Sequence, residues 1–291
     1  MNCDHPVGEI WKKCGWILPV LALAAVLRAD PPPAWQEEFN QALNSGPSPS
    51  TWGYDTGATG WGNAELENYT NSRSNSYVAS DPDATDGKVL VIRAVKETDG
   101  SYTSARIKSI NLFAIQYGRI EARMKLPKGQ GLWPAFWMLG QNINTVSWPA
   151  CGEIDIMEVL GHQPGILYGT LHGPASGNTG HFSKGTSLTL PNNGSFSDAY
   201  HVFAVEWMPG QIAWLMDGTK YLTVKTADFP AGATWSPDIG PFFIILNLAV
   251  GGNWPGSPDA TTVFPAELRI DYVRYYPRLP RSSLWPMTPP Q

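Results

Sequence analysis

Glycine and proline interrupt this chain too often for long helices to form. There are 29 Gly and 26 Pro in 291 residues, and both break helical periodicity. The segments between them read as strands. Lys88 to Val95 is a mostly apolar run. Tyr117 to Leu126 alternates, with Ile120, Ala122, Met124 and Leu126 on one side and Arg119, Glu121, Arg123 and Lys125 on the other. His201 to Trp207 continues the pattern. Ile212 to Met216 then meets Asp217-Gly218, a dipeptide suited to a hairpin turn in which both positions need φ > 0. Phe242 to Val250 is apolar nearly throughout and is predicted to be buried on both faces, and Leu268 to Tyr276 closes the domain. Many short antiparallel strands joined by turns predict an all-β sandwich or jelly roll.

Composition narrows the class of partner. Hydrophobic residues make up 43% of the chain, enough for a sizeable core, and charged residues only 15%, against roughly 25% in an average soluble protein. The 13 Trp exceed what a core alone asks for, since each buried indole N–H needs a partner. Flat aromatic rings also suit the apolar faces of sugars. A net charge of -5 without runs of Lys or Arg argues against nucleic acid.

Residues 1–29 read as a signal peptide. Lys12 and Lys13 precede an apolar run from Trp16 to Leu27, shorter than the about 20 residues a bilayer span needs. Ala22-Leu23-Ala24 and Ala29 are candidate cleavage positions. Secretion is therefore expected. Cys3 and Cys14 would leave with that segment, so Cys151 would remain alone and no intramolecular disulfide is expected. Residues 30–277 form the expected single domain, and 278–291 a Pro-rich tail.

The most informative segment lies between Lys128 and Lys184. It contains no Lys or Arg, and its only carboxylates are Glu153, Asp155 and Glu158. Three acids among Trp, Phe, Ile and Met, with no local base, are costly to ionise together. Such an arrangement points to carboxylates with chemical work to do. Side chains on a strand alternate faces, so Glu153 and Asp155 share a face, with Ile154 and Ile156 turned to the core. Strict alternation would bury Glu158. One bulge at Ile156-Met157 inserts an extra residue and returns Glu158 to the acid face. Cys151, two residues before Glu153, is expected on the same face. Paired carboxylates are the basic apparatus of most glycosidases, and the retaining kind needs them about 5–5.5 Å apart.

At these residues the chain resembles glycoside hydrolase family 16, most closely its laminarinase-type endo-1,3-β-glucanases. The blocks that carry the resemblance include Gly60-Trp-Gly-Asn-Ala-Glu65, Gly131-Leu-Trp-Pro-Ala-Phe-Trp-Met-Leu-Gly140, Gly152-Glu-Ile-Asp-Ile-Met-Glu158, Thr170-Leu-His172 and Leu246 to Gly256, within a match from Trp35 to Tyr276. The resemblance implies a jelly-roll β-sandwich of two antiparallel sheets with a concave substrate cleft. It assigns Glu153 as nucleophile, Glu158 as general acid/base and Asp155 as their partner. It further implies sugar contacts from Asn63, Arg106 and Asn247, aromatic platforms at Trp133, Trp137 and Trp254, and a histidine, His172, beside the acid/base. No cofactor is implied for catalysis. Some members hold a structural calcium (Ca2+), and the matching positions are the Asp271 carboxylate and the backbone carbonyls of Glu38 and Gly87. The expected partner is a β-glucan polysaccharide, met by a monomer with no membrane attachment after signal cleavage.

Other readings on the same scaffold are a mixed-linkage β-1,3-1,4-glucanase, a galactan-cleaving relative, a transglycosylase, and a non-catalytic glucan-binding protein. The last lacks the catalytic glutamates, which are present here. The bulged Glu-x-Asp-x-x-Glu disfavours the unbulged branches of the family, and Gly252-Asn-Trp-Pro-Gly256 favours a laminarinase over an agarase. The chain has no Gly-x-Ser-x-Gly elbow, His-Glu-x-x-His or phosphate loop.

Overall fold

The computed structural model describes residues 32–277, together with Met1. The segments expected to be the signal peptide and the Pro-rich tail lie outside the described residues. In chain order the strands are β1 (Trp35–Glu37), β2 (Gly53–Asp55), β3 (Glu67–Tyr69), β4 (Ser76–Ser80), β5 (Lys88–Lys96), β6 (Tyr102–Ser104), β7 (Arg106–Lys108), β8 (Ala114–Ile115), β9 (Gly118–Lys125), β10 (Leu132–Gly140), β11 (Glu153–Val159), β12 (Ile166–Pro174), β13 (His181–Thr189), β14 (His201–Met208), β15 (Gln211–Met216), β16 (Thr219–Lys225), β17 (Phe242–Val250) and β18 (Ala266–Tyr276). Among the described residues the helices are short 3-10 turns.

These strands build the all-β jelly-roll sandwich expected from the sequence. One sheet runs β16-β15-β14-β9-β18-β5-β6-β3, with β1 added on β18 and β4 on β5. The other runs β13-β12-β11-β10-β17-β7-β2, with β8 added on β17. Pairing is antiparallel except between β3 and β6, where Glu67 faces Tyr102 in a parallel register. The Asp217-Gly218 turn forms as predicted, with φ of 48° and 76°, and joins β15 to β16.

The core fills the space between the sheets. Ile120, Ala122 and Met124 of β9 meet Phe136 and Met138 of β10, Ile154 of β11, and Ile244, Leu246 and Leu248 of β17. Alternation along each strand explains this, since residues two apart share a face. β17 is buried along its whole length, because its inner face lies in the core and its outer face lies beneath a cleft. A second apolar cluster sits on that outer face, made of Leu139, Cys151, Phe243 and Ile245. Cys151 is thus on the side of the sheet expected from its spacing, but it is buried among these side chains and is not a wall of the cleft.

Candidate active site

β11 sits between β10 and β12 near the middle of its sheet, and the predicted bulge is there. Against β12, Asp155 pairs with Thr170 and Glu158 with Tyr168, so Ile156 and Met157 together face only Gly169. Against β10, Asp155 pairs with Trp137 and Met157 with Phe136. Ile154, Ile156 and Met157 all enter the core. Glu153, Asp155 and Glu158 emerge on the opposite face and line one cleft of about 770 Å3. The same cleft collects Asn63, Arg106, Trp133, Trp137, His172, Asn247 and Trp254, so every residue proposed from sequence to act or bind there lies on its wall.

Hydrogen bonds fix the walls. Trp133 donates its indole N–H to Glu158 Oε1 at 3.1 Å. Trp137 donates to Asn247 Oδ1 at 2.8 Å, and Asn247 donates in turn to the Tyr69 hydroxyl at 3.2 Å. Tyr69 and Asn63 both donate to Glu65, at 3.0 and 3.1 Å. One chain of bonds therefore ties an indole and two amides of the cleft to a single carboxylate. Arg106 pairs with Asp55 at 3.0 Å, and its guanidinium lies 5.0 Å from the Trp61 ring and 4.7 Å from the Trp137 ring. The ion pair and the place in the cleft are compatible for Arg106. Trp254 meets Trp133 edge-on at 5.4 Å and Tyr168 at 5.0 Å.

The three acids do not ionise independently. The Glu153 carboxyl is pushed up to about 8, by burial first and then by the Asp155 charge, while His172 and Arg106 pull it down. Burial pushes Asp155 up to about 8. Glu158 is raised well above the usual carboxylate range by burial, then by the charges of Asp155 and Glu153. The side chain of Glu153 keeps 17% of its surface and that of Asp155 only 5%, so desolvation bears harder on Asp155. Burial and mutual repulsion therefore disfavour charge on all three carboxyls, and the row titrates as a group.

His172 stands elsewhere than expected. Its Nε2 is 2.9 Å from Asp155 Oδ2 and 3.7 Å from Glu153 Oε1, so it attends the Glu153 end of the row rather than lying beside Glu158. The cause is register, since His172 pairs directly with Glu153 across the ladder.

The calcium expectation does not fit. Both carboxylate oxygens of Asp271 accept bonds from Thr85, and Oδ2 also accepts one from Arg123. The Gly87 carbonyl accepts from the Asp81 N–H at 3.0 Å. A guanidinium already neutralises Asp271, which leaves no hard-oxygen cage for a divalent ion. Among the described residues, Glu153, Asp155 and His172 have ligand atoms within 4.8 Å of one another, and they belong to the acid row.

Sequence reasoning missed several wall residues: Trp61, Glu65, Trp148 and His181. Trp61 and Glu65 lie inside the Gly60 to Glu65 block, so their neighbours were a signal. Trp148 lies between strands and carries no periodicity. Its ring is 4.7 Å from that of His181, whose Nε2 is 2.8 Å from His172 Nδ1.

Comparison with known proteins agrees with this geometry. Residues 66–274 match the family model for glycosyl hydrolases family 16. A beta-glucanase of Rhodothermus marinus is 38% identical over 94% of this chain and 98% of its own length. The laminarinase catalytic domain from Thermotoga maritima MSB8 is 44% identical, with a TM-score of 0.74 over 86% of this chain and 98% of that one. The endo-beta-1,3-glucanase from Pyrococcus furiosus is 43% identical, with a TM-score of 0.70 over 83% of this chain and 92% of that one. The chain belongs to glycosyl hydrolases family 16.

Proposed function

We propose that this protein is a secreted, retaining endo-β-1,3-glucanase that hydrolyses internal bonds of laminarin-like glucans. The observation that carries the proposal is the bulged β11, with three carboxyl groups in one row on a cleft walled by indoles. The substrate class is supported by similarity to the laminarinase of Thermotoga maritima and the endo-beta-1,3-glucanase of Pyrococcus furiosus. Secretion is supported by the basic-then-apolar segment at Lys12 to Leu27.

The chemistry follows from the protonation pattern. Glu158, buried and raised well above the usual carboxylate range, is the general acid, and Glu153 is the nucleophile in its ionised form, which His172 and Arg106 favour against burial. Asp155 and His172 stand beside Glu153, with His172 Nε2 2.9 Å from Asp155 Oδ2 and 3.7 Å from Glu153 Oε1. Glu153 attacks the anomeric carbon as Glu158 transfers its proton to the departing glycosidic oxygen, and a glycosyl ester forms. Esterification removes the Glu153 charge, which adds to burial and the Asp155 charge in raising the Glu158 pKa. Glu158 then accepts a proton from water as that water attacks the ester, and the β configuration is restored. No cofactor enters either step.

Product analysis on laminarin, curdlan, lichenan and agarose side by side tests this reading. Oligosaccharides from laminarin and curdlan are expected, with a β-anomer as the first product seen by NMR. A first-formed α-anomer would mean that the enzyme inverts. Cleavage confined to lichenan or agarose would reassign the substrate.

A further inference from the structure

The bulge that returns Glu158 to the cleft is held from behind. In a regular strand a carbonyl lies in the plane of the sheet and bonds to a neighbouring strand. The Asp155 carbonyl, at the start of the bulge, also accepts a bond from the interior. Trp214, on β15 of the facing sheet and fully buried, donates its indole N–H to Asp155 O at 2.7 Å. The indole reaches that carbonyl through a notch. Gly169 is the single β12 residue facing Ile156 and Met157, and a Cβ added there would lie 2.7 Å from Trp214 Cδ1 and 2.5 Å from the Tyr221 hydroxyl. Both distances are closer than a real Cβ tolerates, so glycine is what lets the indole sit under the bulge.

We propose that Trp214, through its N–H···O=C bond to Asp155, is a positioning residue that pins the bulge and so sets the alignment of Asp155 and Glu158 in the cleft. The proposal rests on the reading of Glu153 and Glu158 as the reacting pair. The physical reason is register. A bulge is one extra residue, and losing it, or letting it slip past Glu158, would exchange Met157 and Glu158 between the core and the cleft. A directional bond to the carbonyl that precedes the extra residue opposes that slip, which apolar packing alone does weakly.

The fold supplies its own control. Trp207 on β14 is also buried in the core of the same sheet, but its indole N–H has no partner. Trp214→Phe and Trp207→Phe therefore remove the same group from similar surroundings, and only the first loses a bond. The test measures melting temperature, kcat and KM on laminarin, and the pH profile of kcat/KM, for both variants, for Gly169→Ala and for Glu158→Ala. Trp214→Phe should lower kcat by about 10- to 100-fold, as misplacement of catalytic groups by a fraction of an ångström to 1 Å does, with KM nearly unchanged and displaced limbs in the pH profile. Trp207→Phe should leave kcat and the profile at wild-type values whatever its melting temperature. Gly169→Ala crowds the indole without deleting it and should lower kcat likewise; it carries the test if Trp214→Phe does not fold. An unchanged kcat in Trp214→Phe, with activity lost in Glu158→Ala, overturns the positioning role and leaves the site intact. Activity retained in Glu158→Ala overturns the reading of the site, and the positioning role with it.

Discussion

Trp133 donates its indole N–H to Glu158 Oε1 at 3.1 Å, reaching diagonally across the β10–β11 ladder in which Glu158 faces Ala135. The bond favours the ionised form of Glu158 and opposes the upward push from burial. Trp133→Phe keeps a ring in the cleft and removes the donor. Glu158 should then hold its proton to higher pH, so the basic limb of the kcat/KM profile should move upward. A profile whose basic limb stays in place would show that this bond does not tune the acid.

Glu67 predicts how stability depends on pH. It is fully buried on β3, with Oε2 accepting from the Val250 N–H at 2.6 Å. Its carboxyl is pushed up to about 9 from an ordinary 4.5, by burial first and then by Glu65. The folded state thus binds this proton more tightly than the unfolded state. Its contribution to stability is complete below about pH 4.5 and is lost as pH rises toward about 9. Asp155 and Glu153 act in the same direction. The melting temperature should therefore fall between about pH 5 and pH 9. Glu67→Gln keeps an acceptor for Val250 and gives Glu65 a permanent donor, so its melting temperature should fall less over the same range. Parallel curves for wild type and variant would contradict this.

Chelation should do nothing. Asp271 is neutralised by Arg123 and bonded by Thr85, so EDTA should leave the melting temperature unchanged and added calcium should not raise it. A drop on chelation that calcium reverses would show that a cation, rather than Arg123, serves Asp271.

Cys151→Ser should keep kcat/KM within a few-fold of wild type while losing roughly 1–3 kcal/mol of stability, the cost of a poorly satisfied hydroxyl in an apolar cluster. The thiol is buried, and burial followed by the Glu153 charge pushes it up to about 11, so slow reaction with thiol reagents is expected. Denaturation curves and reagent kinetics check the two halves.

The acid row was legible in the sequence because local rules conflict there. Period-two alternation accommodates Glu153 and Asp155 but not Glu158, and a bulge is the least change that reconciles all three with an apolar core. The hairpin at Asp217-Gly218 was legible for a similar reason, since its turn demands positive φ. What stayed hidden depends on contacts distant in sequence. A second bulge, at Asp271 in β18, lies opposite the Met124–Arg123 step of β9. Only that register brings Arg123 to Asp271, and on an alternating strand Arg123 looks like one more outward charge. Trp148 and His181 are brought together by the fold of a loop against β13. Trp214 looks like any core tryptophan until its indole is seen to reach the opposite sheet.

The division of labour between Glu153 and Glu158 is the central claim, and the stereochemistry of azide rescue on an activated aryl β-glycoside tests it most directly. Glu153→Ala lacks the nucleophile, so azide attacks from the vacated side and should give an α-glycosyl azide. Glu158→Ala still forms the glycosyl ester with a good leaving group, and azide, which needs no general base, should open that ester to a β-glycosyl azide. The account predicts that pair of anomers, with hydrolysis of laminarin lost in both variants. The reversed pair would exchange the two roles, and full laminarin hydrolysis by either variant would contradict the two-carboxylate mechanism at this strand.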